Sequence, residues 1–89
     1  MSKNAIAIND IYFKVQSILK GMLESQQEIE WDDNLIEKGL NSLTSIRLVV
    51  KLEEEFEIEF DDSELVFENF SMIRTIVTRI QSKIGIKDN

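Results

Sequence analysis

The sequence predicts a small all-α fold, a four-helix bundle of three long helices and one short one, with a long loop between the first two. Three observations carry this. Apolar residues recur at helical spacing in three separate windows. Only one short run, Phe56-Glu57-Ile58-Glu59-Phe60, alternates with period two, and no second such run exists to pair with it. The chain has 89 residues, room for one domain with one core. At this size roughly 60–65% of the unfolded surface is buried, which does not favour a deep enclosed active site.

Taking the elements in order, residues 1–8 read as a loose tail. Ile11, Val15, Ile18, Leu19 and Met22 then mark one face of a helix over about 10–23. Asn9 is its expected cap, Asp10 suits the positive first turn, and Ile8 with Phe13 occupy the positions of a hydrophobic staple. Residues 24–41 are polar and acidic. Their scattered apolar residues Ile29, Trp31, Leu35, Ile36 and Leu40 are suited to pinning the loop over the core. Gly39 offers a positive φ just before the second helix.

The second helix spans about 42–56 and has two apolar arcs. Leu48, Val49, Leu52 and Phe56 form one, Leu43, Ile46 and Val50 the other, and together they cover roughly 220° of its circumference. One arc can face the core. The other is either covered by the long loop or exposed as a docking stripe beside Ser42. Residues 56–60 read as an extended connector with Phe56, Ile58 and Phe60 turned inward. Asp61-Asp62-Ser63 starts a short helical turn over Glu64–Phe67, and Ser71 caps a last helix carrying Ile73, Ile76, Val77, Ile80 and Ile84. Gly85 is its expected stop, with 86–89 a second loose tail. One domain over residues 1–89 is expected, and Met1 with the short tails favours a complete small protein over a domain excised from a larger one.

Composition narrows the function. Acids outnumber bases 17 to 10, for a net charge of −7, so nucleic acid and anionic membrane surfaces are unfavourable partners. The chain has no Cys and no His, which removes thiolate nucleophiles, disulfides, thiolate metal sites and the usual general base. The longest apolar run, Ala5 to Ile8, is four residues, far below a membrane span or a signal-peptide core. A cytoplasmic monomer is expected. Nine of the 17 acids fall between Glu53 and Glu68, a solvated face or a surface that steers a basic partner. Asp61-Asp62-Ser63-Glu64 does not form a calcium loop, because the sixth position is Val66 rather than Gly.

Gly39-Leu40-Asn41-Ser42-Leu43 resembles the attachment motif of acyl and peptidyl carrier proteins, in which Gly, any residue, Asp or His, Ser and Leu follow one another. Asn41 replaces the usual Asp or His and is as good a helix cap. Asp33-Asn34-Leu35-Ile36 and the segment from Phe56 to Asp62 resemble the family's flanking segments, so the likeness covers about residues 10–84. The run Leu43 to Val49 is similar to that of peptidyl carriers in nonribosomal peptide synthesis, as in antibiotic biosynthesis.

This resemblance implies a carrier protein without catalytic activity of its own. Ser42 would bear 4′-phosphopantetheine from coenzyme A, whose terminal thiol holds an aminoacyl, peptidyl or acyl group as a thioester. Gly39, Leu40 and Asn41 would shape the attachment turn, and Leu43, Ile46, Arg47 and Val50 would dock partners. The implied partners are a phosphopantetheinyl transferase, an adenylating or acyl-loading enzyme, and downstream tailoring, condensing or transferring enzymes. An acyl carrier of fatty-acid or polyketide synthesis is the alternative within the family. An unmodified acidic helical module that only binds proteins explains the charge and the stripe equally well, but gives Ser42 no reason to sit between the arcs.

Overall fold

The computed structural model describes residues 8–87, with side chains to Ile84. Three α-helices, α1 (Ile8–Leu23), α2 (Ser42–Phe56) and α3 (Ile73–Lys87), surround one apolar core, and no strand occurs among the described residues. Ile11, Val15 and Leu19 of α1, Leu48 and Leu52 of α2, and Ile73, Ile76, Val77 and Ile80 of α3 are fully buried. Each set follows the three-to-four-residue spacing of one helix face. Helix α1 packs against both α2 and α3.

The loop over residues 24–41 is part of this core. Ile29 and Leu35 are fully buried and Leu40 nearly so. The Tyr12 hydroxyl donates to the Ile29 carbonyl at 2.7 Å, and the Gln16 side-chain oxygen accepts the Ile29 N–H at 3.0 Å. Burial pushes the Tyr12 hydroxyl pKa up, with the Glu30, Glu28 and Asp33 carboxylates adding to the effect. On the other side, Leu35 N–H donates to Ser71 O at 2.9 Å and Arg74 N–H to Trp31 O at 3.0 Å. Trp31 stacks on Tyr12 with ring centroids 4.6 Å apart, and the Arg74 guanidinium lies 5.4 Å from its ring. That guanidinium also makes two hydrogen bonds to Asp32, at 2.7 and 3.0 Å.

The connector beyond α2 keeps the expected inward faces. Ile58 and Phe60 are buried, and Phe56 packs partly against the core. The short helix expected at Glu64–Phe67 is instead two 3-10 turns, Asp62–Glu64 and Phe67–Phe70. Phe70 explains the shift: it is buried edge-on against Phe60 at 5.4 Å, so the chain dives inward there. The second turn packs on both α2 and α3.

Four boundaries differ from expectation. Helix α1 already includes Ile8 and Asn9, so Asn9 is not its cap; Asp10 remains in the first turn. Ile8 and Phe13 are both exposed, at 40% and 59%, and form no staple. The Ser71 hydroxyl donates to Glu68 O at 2.9 Å, closing the 3-10 turn rather than capping α3, whose first bond runs from Ile76 N–H to Met72 O. Helix α3 continues through Gly85 to Lys87; Ile84, packed against the core, holds the last turns, and Gly within a helix costs only about 1 kcal/mol. Of the expected tails at 1–8 and 86–89, Ile8 already belongs to α1 and residues 86–87 to α3, and the remainder, 1–7 and 88–89, lies outside the described residues.

Candidate functional site

The turn into α2 is built one residue at a time. Gly39 N–H donates to Ile36 O at 3.1 Å and Leu40 N–H to Leu35 O at 2.9 Å, folding the end of the loop back on itself. Gly39 has φ +114°, a conformation that strains any residue with a Cβ. The Leu40 side chain is buried and anchors the turn. Asn41 is extended and caps the helix: its side-chain oxygen accepts Thr44 N–H at 3.0 Å, while Thr44 Oγ1 accepts Asn41 N–H at 2.7 Å. Asn41 O accepts Ser45 N–H at 2.8 Å.

Asn41 therefore satisfies the helix start, and Ser42 is left over. The Ser42 backbone oxygen accepts the buried Ser45 hydroxyl at 2.8 Å, but the exposed Ser42 hydroxyl makes no hydrogen bond among the described residues. The N–H groups of Ser42 and Leu43 also lack partners there, at the positive end of the helix. An exposed hydroxyl without a competing internal bond, next to two free N–H donors, suits esterification by a phosphate.

Leu43, Ile46 and Val50 stand exposed at 61%, 62% and 48%, so the loop does not cover the second arc. Ile46 and Val50 form a ridge between two open hollows. One, of about 430 Å³, starts at Ser42 and runs between α2 and the 3-10 segment, walled by Val49, Leu65, Val66, Phe67 and Phe70. The other, of about 480 Å³, lies on the α1 side and is rimmed by Met22, Thr44, Arg47, Lys51 and Glu54. No group of acids able to hold a metal ion occurs among the described residues.

Residues 14–80, from α1 into α3, match the family model described as the phosphopantetheine attachment site. The chain belongs to this family. It is similar to the acyl carrier protein of Thermotoga maritima, with 37% identity over 81 residues, 85% of this chain and 94% of that protein. It is also similar to aminoacyl carrier protein 1 of Bradyrhizobium diazoefficiens, with 24% identity over 78 residues, 84% and 87% of the two chains. It is thus a carrier protein, and its cofactor is covalently attached 4′-phosphopantetheine, which supplies the thiol that the sequence lacks. Carrier proteins interact with a phosphopantetheinyl transferase and with biosynthetic enzymes. No described helix is long and apolar enough to cross a membrane.

Of the sequence-derived residues, the structure brings Gly39, Leu40, Asn41 and Ser42 into one turn, and sets Leu43, Ile46 and Val50 with Arg47 along one exposed side of α2. Sequence reasoning missed the second wall of the Ser42 hollow. Leu65 and Val66, each 46% exposed, read only as members of a short turn. Their signal was two adjacent apolar residues in an acidic stretch with no helix face to occupy.

Proposed function

We propose that this carrier protein bears its 4′-phosphopantetheine on Ser42 and holds aminoacyl or peptidyl groups as thioesters for partner enzymes. The observation that carries the assignment is the division of labour at the turn: Asn41 caps α2, so the exposed Ser42 hydroxyl has no structural bond to give up. In the attachment step the Ser42 oxygen forms a bond to the pantetheine-side phosphorus of coenzyme A. The pyrophosphate P–O bond breaks, adenosine 3′,5′-bisphosphate leaves, and the hydroxyl proton passes to a base on the transferase. The protein contributes an accessible hydroxyl, a helix end that favours the anionic product, and an exposed ridge for docking. On this reading it provides no catalytic group, acts as a monomer and works in the cytoplasm.

The aminoacyl or peptidyl reading is supported by the Leu43–Val49 run and by the aminoacyl carrier relative. An acyl cargo is the second reading, favoured by the Thermotoga maritima relative and by the apolar hollow at Ser42. Intact-mass spectrometry after incubation with coenzyme A and a broad-specificity transferase, beside Ser42→Ala, tests the attachment. One added phosphopantetheine in the native chain only is expected; none in the well-folded native chain overturns the assignment. The holo form, offered an adenylating enzyme with amino acids and ATP or a malonyl-transferring enzyme with malonyl-coenzyme A, then discriminates the cargo classes.

A further inference from the structure

Sixteen carboxylates and eight basic groups belong to the described side chains, so every cation has acids to choose from. Six of the eight take one. Lys14 meets Glu55 at 2.9 Å, Lys20 meets Glu28 at 4.0 Å, and Lys38 meets Asp33 at 3.7 Å. Arg74 meets Asp32 at 2.7 Å, while Arg79 and Lys83 share Glu64 at 3.1 and 2.7 Å. Arg47 and Lys51 are the two described basic side chains without an ion pair, and both are exposed.

They also sit together. At about 100° per residue, Ile46, Val50 and Leu43 lie about 40–100° around α2 from Ser42, and Arg47 and Lys51 follow at about 140–180°. The apolar ridge thus has a cationic flank on the side away from the Ser42 hollow, and both cations rim the α1-side hollow with it. Glu54 is on the same rim, beyond ion-pair distance of either. From Ser42 to Leu52 the helix carries no acid at all, in a chain of net charge −7.

Resting on the carrier reading above, we propose that the transferase that modifies Ser42 docks through carboxylates placed on Arg47 and Lys51, around an apolar contact on Ile46 and Val50. Charge complementarity selects this partner chemistry. A basic docking surface would meet two unneutralised cations of like sign, whereas an acidic one neutralises both without breaking an internal ion pair. The chain's overall acidity therefore misstates what its docking helix prefers.

The test uses the full chain and two phosphopantetheinyl transferases, chosen so that one has an acidic and the other a basic carrier-facing surface. Initial rates of mass gain are measured for the native protein, for Arg47→Glu/Lys51→Glu, and for Lys14→Glu/Lys20→Glu, which has the same net charge with the change placed on α1. With the acidic-faced enzyme, the α2 reversal is expected to lower kcat/KM about tenfold or more, and added salt to slow the native reaction, while the α1 reversal has little effect. With the basic-faced enzyme the α2 reversal is expected to raise the rate. Equal effects of both reversals, or none from the α2 reversal, overturn the inference and leave attachment intact. No mass gain with either enzyme overturns both. Light scattering on the native chain completes the test: a dimer dissolved by the α2 reversal gives this face to a second copy instead.

Discussion

The Asn41 side chain accepts the Thr44 backbone N–H at 3.0 Å, and the hydroxyl of the very next residue, Ser42, is thereby spared from capping. Two neighbouring polar residues of similar capping ability have separate tasks. Asn41→Ala is expected to lower stability by about 1 kcal/mol, the usual loss of an N-cap, and to slow modification of Ser42 without abolishing it. Asn41→Asp is expected to hold stability within a few tenths. Ser42→Ala should change stability by less than about 0.5 kcal/mol and lose all modification. Urea titrations with intact-mass spectra on the same samples check all three.

Ile46 and Leu48, two residues apart on α2, differ completely in exposure, at 62% and 0%. Leu48→Ala is expected to cost about 2–5 kcal/mol, because it leaves a cavity in the core. Ile46→Ala should cost less than about 0.5 kcal/mol yet slow every reaction that requires docking. Thermal melts beside transferase rates separate the two effects.

Glu64 joins the first 3-10 turn to α3, and the hydrogen bond from Lys83 holds its carboxyl below the ordinary carboxylate range, with Asp61 N–H and Arg79 helping against the opposing effect of burial. A carboxyl with a depressed pKa stabilises the fold fully above its unfolded value of about 4.3, and that contribution fades as pH falls through the folded value. Glu64→Gln is expected to cost roughly 1–2 kcal/mol at neutral pH. The gap between native and variant should narrow progressively below about pH 4.5. Denaturant midpoints measured from pH 7 to pH 3 give the curve; a constant gap would show that the carboxylate charge is not involved.

Glu24, the residue that follows helix α1, has φ 54°, a left-handed position more commonly filled by glycine. Glu24→Gly removes the Cβ strain and is expected to stabilise the protein by about 0.5–1 kcal/mol, after the added entropy of the unfolded chain is offset. A rise in melting temperature of a few degrees would show it.

Helix faces were legible because burial imposes a period: Ile11, Val15 and Leu19, or Ile76, Val77 and Ile80, announce themselves by spacing alone. The Gly39 turn was legible because few residues accept its backbone geometry. What spacing could not show depends on partners distant in the chain. The position of Phe70 against Phe60 decides where the 3-10 turns fall, and the packing of Ile84 carries α3 past a glycine that local rules treat as a stop. At the site, the sequence resemblance placed Arg47 among the docking residues but gave no sign of its pairing state. Its lack of an ion pair became visible only once six other cations were seen to have found acids elsewhere.

The bonds that fasten the loop before Ser42 to α3 also set an order of events during synthesis. Leu35 depends on Ser71, and Trp31 on Arg74, residues that leave the ribosome dozens of peptide bonds later. Until then α1 alone can hold the loop, through Tyr12 and Gln16. The loop leading to Ser42 therefore gains its last anchors only when the final helix is available, and a transferase that requires the fully anchored loop meets a finished domain rather than a nascent one.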